Sequence, residues 1–306
     1  MVELFSGIKV DWLGKRKLFF AVSVALLVVG MVSLVTKGHF RYGLDFKGGT
    51  LLKVKLEGVD IAQVRSLLPQ ASIQAYRSSS GEPGFQIELE NAGEKGKPSD
   101  ASAGRETVTQ ALNTKFKDKF TIISSDGVDS KVGDDVKKQA VSATLYALLG
   151  ILIYIAFRFE WIYGAAAVFA VFHDTLVTLG LFSLFNYEIN LTVIAALLTL
   201  VGYSVNDTIV VFDRVRENLK TRRRDDLETV LNDSINQTLS RTILTSGLTF
   251  LTVLALFLFG GEIINNFAFA MVIGIIVGTY SSVAVAAPLV LVYTNLRRPK
   301  MAVNRR

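Results

Sequence analysis

Three charged side chains sit inside long apolar runs of this sequence. Asp207 lies within 191–212, Asp174 within 171–180, and Arg241 opens the apolar run that follows Ser240. A charged side chain in the middle of a hydrocarbon-embedded helix costs about 2.5–3.5 kcal/mol on insertion scales, so it persists where it binds, pairs or carries a proton. The chemistry this pattern points to is proton uptake and release. A carboxyl group's affinity for protons depends on its burial and on nearby cations, so Arg241 moving toward or away from Asp207 would switch it between binding and releasing a proton. One charge crossing about 100 mV gains roughly 2.3 kcal/mol, which is enough to drive such a cycle.

Each residue also has a plainer reading. Arg241, at a span end, fits a side chain that snorkels to headgroups. Asp174 fits a hydrogen-bonded helix interface with Thr175 and Thr178. His173 projects about 100° away from its neighbour Asp174 on a helix and is expected to pack on its own. Asp213 and Arg214 fall at a span boundary, where charge is cheap. Asp207 is set apart by its polar company, because Tyr203, Ser204, Asn206 and Thr208 predict a polar lining around it. Tyr203 lies one turn away on the same helix face.

These residues require spans to hold them. Of 306 residues, 50% are hydrophobic and 20% charged, and the mean hydropathy is +0.40. Such a chain divides between bilayer and water. Six stretches are long enough to cross a hydrocarbon core about 30 Å thick: 18–36, 138–157, 161–184, 189–212, 240–259 and 265–294. The predicted organisation is a terminus and first span at 1–36, an extramembrane domain at 37–137, and a five-helix bundle at 138–306 with a loop at 213–239. Basic residues cluster before the first span (Lys15, Arg16, Lys17), at Arg158, between Arg214 and Arg224, and from Arg297 to Arg306. The alternate loops 186–190 and 260–266 carry no Lys or Arg. The positive-inside rule therefore predicts cytoplasmic termini and an external domain. The first span reads as a permanent anchor, because Val35-Thr36-Lys37 is no small-x-small cleavage site. The net charge of +6 is concentrated on one membrane side, where anionic lipid accounts for it, and argues against nucleic acid as a partner. With no cysteine, disulfides and thiolate metal sites are excluded.

In the external domain Leu52, Val54 and Leu56 alternate with Lys53 and Lys55, the pattern of a half-buried strand. A helix capped by Asp60 and halted at Pro69 follows. Strands at 72–77 and 85–89, a helix at 105–119 and a strand at 120–124 complete the order βαββαβ, which suggests a small two-layer α+β domain of ferredoxin-like type. A Gly, Ser and Pro-rich linker is expected at 91–104. Gly43, Asp45, Gly48 and Gly49 belong to a glycine-rich stretch just outside the first span. It lacks the spacing of a phosphate loop and reads as a tight turn.

At 43–49, 157–161, 172–174, 201–218 and 241–246 the sequence closely resembles the SecF family, the smaller half of the bacterial SecDF protein-export motor within the resistance-nodulation-division transporter superfamily. The resemblance implies a bacterial inner-membrane protein that pairs with SecD, associates with the SecYEG channel and moves preproteins outward using proton flow. The proton is the coupling ion, and no other cofactor is implied. The family's proton-path aspartate and arginine fall on Asp207 and Arg241, and Asp174 and Asp213 lie within family motifs.

Other readings remain. Two close carboxyls on adjacent spans, Asp174 and Asp207, would suit an intramembrane aspartyl protease, although Ser-Val-Asn-Asp207 is not the Gly-x-Gly-Asp of such enzymes. A small-molecule or lipid exporter of the same superfamily would usually carry both halves in one chain. A scaffold that only stabilises its partner would tolerate replacement of Asp207 and Arg241.

Overall fold

In this computed structural model the described residues are 9–56, 58–77, 83–90, 101–117, 119–128, 130–158 and 160–297. Residues 78–82, most of the predicted linker at 91–104 and the basic tail beyond 297 lie outside them. In chain order the elements are α1 (Arg16–Lys37), α2 (Leu44–Lys47), β1 (Gly49–Leu56), α3 (Ile61–Leu67), β2 (Ala71–Arg77), β3 (Pro83–Glu90), α4 (Ala101–Phe116), β4 (Phe120–Val128), α5 (Ser130–Arg158), α6 (Trp161–Phe185), α7 (Leu191–Thr221), α8 (Leu227–Phe259), α9 (Glu262–Ser281) and α10 (Ala287–Arg297). Among the described residues six helical stretches are long and apolar enough to cross a membrane, the second being Asp135–Ile155 within α5 and the last Ile264–Leu296 across α9 and α10. The chain is a multi-pass membrane protein.

Between the first and second spans the four strands form one antiparallel sheet in the order β2-β3-β1-β4. The alternation of β1 sends Leu52, Val54 and Leu56 to one face, where they meet Ile73, Phe85 and Ile87 and are covered by Val64 of α3 and Val108, Leu112 and Phe116 of α4. Each fully buried aliphatic or aromatic side chain contributes about 1.5–3 kcal/mol. Asp60 caps α3 by accepting from the Ala62 amide at 3.3 Å, and the helix ends before Pro69, which cannot donate to a further turn. Helix α4 starts at Ala101, inside the stretch expected to be linker.

The spans begin and end on recognisable caps. Gly38 closes α1 at φ 76°, a left-handed conformation that glycine adopts without steric cost. Asn190 opens α7 by accepting from the Val193 amide at 3.0 Å, and Asp226 opens α8 by accepting from Thr229 at 3.1 Å. The predicted loop at 213–239 is almost entirely helix: α7 runs to Thr221 and α8 starts at Leu227. Both helices outlast their apolar runs because the extensions bury Val215 and Asn218 of α7 with Val230, Leu231 and Ile235 of α8. Asn232 and Asn236 then hold the backbone at Val10 and Trp12, just before α1. In the last span a π-helical turn, Ser282–Ala286, separates α9 from α10. It precedes Pro288, whose missing N–H and ring displace the regular ladder, the usual cause of a local kink.

Candidate functional site

The centre of the bundle is a seam between α7 and α9. Leu200 lies against Gly274 and Ser204 against Gly278, while the Thr208 and Ser282 hydroxyls meet at 2.9 Å. Each pair is separated by 74 positions (274 − 200, 278 − 204, 282 − 208), so the helices run parallel with a four-residue repeat. Small residues are what such an approach requires: a Cβ on Gly278 would sit 3.1 Å from the Cβ of Ser204.

The two carboxylates flank this seam. Asp207, near the middle of α7 and 2% exposed, accepts through Oδ2 from Ser246 of α8 at 2.7 Å and from Thr279 of α9 at 3.3 Å. Asp174, near the middle of α6 and 1% exposed, accepts through Oδ2 from Ser204 of α7 at 2.6 Å and Ser281 of α9 at 2.7 Å. Its Oδ1 lies 3.0 Å from His173 Nδ1. Among the described residues, no Lys or Arg comes within 4.0 Å of either carboxylate. Between Thr279 and Ser281, Tyr280 turns to α1, donating to the Phe19 carbonyl at 2.7 Å and meeting the Ser23 hydroxyl at 3.2 Å. Three successive residues of α9 thus reach three different helices, as the 100° step of a helix dictates.

Several expectations change. Arg241 does not pair with Asp207; it is exposed, whereas Thr242 and Ser246 form the buried stripe of α8. One residue round the helix from Thr242, its side chain leaves the seam. His173 is a partner of Asp174 after all: both side chains are buried, and its Nδ1 lies 3.0 Å from the adjacent carboxylate. Ser204 serves Asp174 rather than Asp207. Thr175 and Thr178 do not bond the Asp174 carboxylate; they donate to backbone carbonyls one turn back, Thr178 to the carbonyl of Asp174 itself. Asn206 is exposed on the outer face of α7, and Tyr203 donates to the Thr245 carbonyl of α8 at 3.2 Å. Thr208 lines the seam through Ser282. Asp213 is tied to Arg158 at 2.7 and 2.9 Å, apart from the buried pair, and Arg214 bonds Gln237 and Glu217. The two carboxylates take their hydrogen bonds from different hydroxyls, Asp174 from Ser204 and Ser281 and Asp207 from Ser246 and Thr279.

The glycine-rich stretch joins the sheet to this machinery. Gly43 donates to the Ile189 carbonyl at 2.8 Å, and Asp45 accepts from the Leu191 amide at 3.0 Å, satisfying an orphan donor at the start of the helix that carries Asp207. Gly48 ends α2 at φ 74°, and a Cβ on Gly49 would lie 2.4 Å from the Leu89 carbonyl oxygen. The stretch is a structural joint. Among the described residues no group of three or more His, Asp or Glu side chains is placed to hold a metal ion.

Sequence reasoning missed Thr279 and Ser281 as carboxylate donors. The run Thr279-Tyr280-Ser281-Ser282, polar in an otherwise apolar span, was the available signal.

The family described as "Protein export membrane protein SecD/SecF, C-terminal" matches residues 107–296, and the "SecD/SecF GG Motif" matches 32–58. Protein translocase subunit SecF of Koribacter versatilis is 39% identical over 97% of this chain and 94% of its own length. SecF of Calditerrivibrio nitroreducens is 42% identical over 94% and 95%. The crystal structure of SecDF, a translocon-associated membrane protein from Thermus thermophilus, is similar with a TM-score of 0.80 and 35% identity, over 94% of this chain and 39% of that longer one. A SecDF structure in a super-membrane-facing form gives 0.72, also at 35% identity, over 96% and 40%.

Proposed function

This chain belongs to the SecF family of protein translocase subunits, which gives it a role in protein export, and from that premise we propose that it is the proton-responsive partner of SecD. Proton binding at Asp207 alters the packing of α7, α8 and α9, and the change is passed to the sheet domain. The observation that carries this reading is the pair of hydroxyls on Asp207. Ser246 and Thr279 come from two other spans, and a hydroxyl both donates and accepts. Such a lining still holds a neutral carboxyl, though less tightly than a charged one, whereas a fixed guanidinium would favour the charged form alone. Arg241, one turn before Thr245 on the same helix, acts in this scheme when α8 turns it toward Asp207. Asp174 and Asp213 are further candidates on the proton path, with Asp213 held by Arg158 at rest.

The finer placement follows from the charge pattern. The basic residues assign both termini to the cytoplasm of a bacterial inner membrane and the domain at 37–137 to the periplasm. The βαββαβ order with strand order β2-β3-β1-β4 supports a ferredoxin-like domain. The partners in this reading are SecD, the SecYEG channel, the preprotein and the surrounding lipid.

Proton flux in vesicles containing the chain reconstituted with SecD tests the central claim. Asp207→Asn is expected to abolish the flux while the complex still assembles. Wild-type flux from an assembled Asp207→Asn complex would overturn it.

A further inference from the structure

Asp174 is not simply a second buried acid beside Asp207. Its single oxygen Oδ2 takes one hydroxyl from each helix of the seam, Ser204 of α7 at 2.6 Å and Ser281 of α9 at 2.7 Å. From the side of α6 it therefore staples α7 to α9. Asp207 staples the same two helices through Thr279, at 3.3 Å, and draws in α8 through Ser246.

We propose that Ser204 and Ser281 are positioning residues that tie Asp174 to Asp207 across the α7–α9 seam, so that the two carboxylates take up and give up protons as one unit. The proposal rests on the reading of Asp207 as a proton site. Ser204 stands three residues from Asp207 on α7, and Ser281 two residues from Thr279 on α9, so no flexible segment separates the staples. Gly274 and Gly278 hold the backbones so close that added atoms would collide with Leu200 or crowd Ser204. A packed contact of this kind shifts as a body instead of deforming locally.

Charge is what each staple depends on. A hydrogen bond to an ionised carboxylate is roughly twice as strong as one between neutral groups, so protonation of either acid weakens its grip on the seam and changes the spacing the other must satisfy. The groups facing Asp174 are His173 on its own helix, Ser204 of α7 and Ser281 of α9. Those facing Asp207 are Ser246 of α8 and Thr279 of α9, with the exposed Arg241 of α8 acting on it only as a more distant charge. Beside Asp174, the Nε2 of His173 is buried with no hydrogen-bond partner among the described residues.

Infrared difference spectra recorded against pH on the complex with SecD provide the test. Carboxyl bands are assigned by their loss in Asp174→Asn and Asp207→Asn. Ser204→Ala and Ser281→Ala, two independent variants, are each expected to move the midpoint of the Asp207 band about tenfold in proton concentration, the scale on which coupled sites separate. The shift should vanish when either serine change is made in Asp174→Asn protein. An Asp207 midpoint unmoved by both serine variants overturns the coupling, as does an equal shift in the Asp174→Asn background, which would mark simple repacking. If Asp207→Asn removes no band, the functional reading falls together with the coupling, whereas a band that titrates but ignores the serines removes the coupling alone.

Discussion

Two helix pairs in this bundle are closed in the same way and used differently. In α1–α6, a Cβ on Gly30 would lie 2.6 Å from the Cα of Gly180, and the Ser33 and Ser183 hydroxyls meet at 3.0 Å. Both pairs are offset by 150 positions (180 − 30, 183 − 33), so these helices are parallel, as α7 and α9 are. Glycine lets both pairs approach. Among the described residues no carboxylate hydrogen-bonds across α1–α6, whereas two acids flank α7–α9 and hold it through hydroxyls. Close packing makes a joint, and ionisable groups on its flanks make the joint responsive. In the function proposed above, the first pair is a fixed hinge post and the second changes with protonation.

The strongest way to break this comparison is to spoil the fixed post. Gly180→Val adds atoms where backbone already stands 2.8 Å from an ideal Cβ, and backbone cannot rotate aside. The expected loss is about 3 kcal/mol, read as a lower melting temperature of the purified complex. A variant that melts with wild type would show that α1 is not secured here. Gly278→Ala is the matching change in the responsive seam. Its Cβ would meet the Cβ of Ser204 at 3.1 Å, a contact that yields by a few tenths of an ångström, so the stability cost is about 1 kcal/mol. Proton flux should fall further than that loss of stability accounts for. Equal, small losses of both would make α7–α9 another fixed post.

The same contrast explains what could be read from the chain. The sheet domain was legible because alternation in 50–56 and the four-residue spacing of Val108, Leu112 and Phe116 report burial directly. The spans were legible from their apolar length. Asp174 and Asp207 stood out through the cost of charge in hydrocarbon, but their partners did not. Ser204 lies nearer Asp207 in sequence yet serves Asp174, because which helix faces which depends on packing that a linear pattern does not encode. The same holds for Arg241, where a step of one residue round α8 separates a seam position from an exposed one. The helical extensions within 213–239 were not legible, because amphipathic extensions look like loop when only hydropathy is followed.

Asp45→Ala asks which joint the sheet domain is fastened to. Asp45 accepts from the first amide of α7, while Lys37 of α1 reaches the Ser183 and Leu184 carbonyls at the end of α6. Loss of the Asp45 contact is expected to cost about 1 kcal/mol, the usual worth of an N-terminal cap. Flux should fall too if α7 is the route to the domain. A stability loss with unchanged flux would favour the α1–α6 attachment as the route.

Glu88 offers the mildest and most localised probe, since it titrates where the sheet meets both joints. It lines a cavity of about 460 Å³ with Lys37 from α1 and Glu188 from the connection between α6 and α7. Burial pushes its pKa up; a hydrogen bond from Gln86 opposes this, the Glu188 and Asp45 carboxylates add to it, and Arg41 opposes it. A folded pKa above the unfolded one means that the native state binds more protons between the two values. The stabilising contribution is therefore fully present below the unfolded carboxyl pKa and is lost as pH rises through the folded one. Melting temperature plotted against pH should decline across that window in wild type, and Glu88→Gln should flatten the decline. Because Glu88 keeps partial access to solvent, which screens its interactions, the change is the smallest of the four. An undiminished slope in Glu88→Gln would move the titration to other groups of the cavity and leave the seat of the domain on both joints independent of charge at this position.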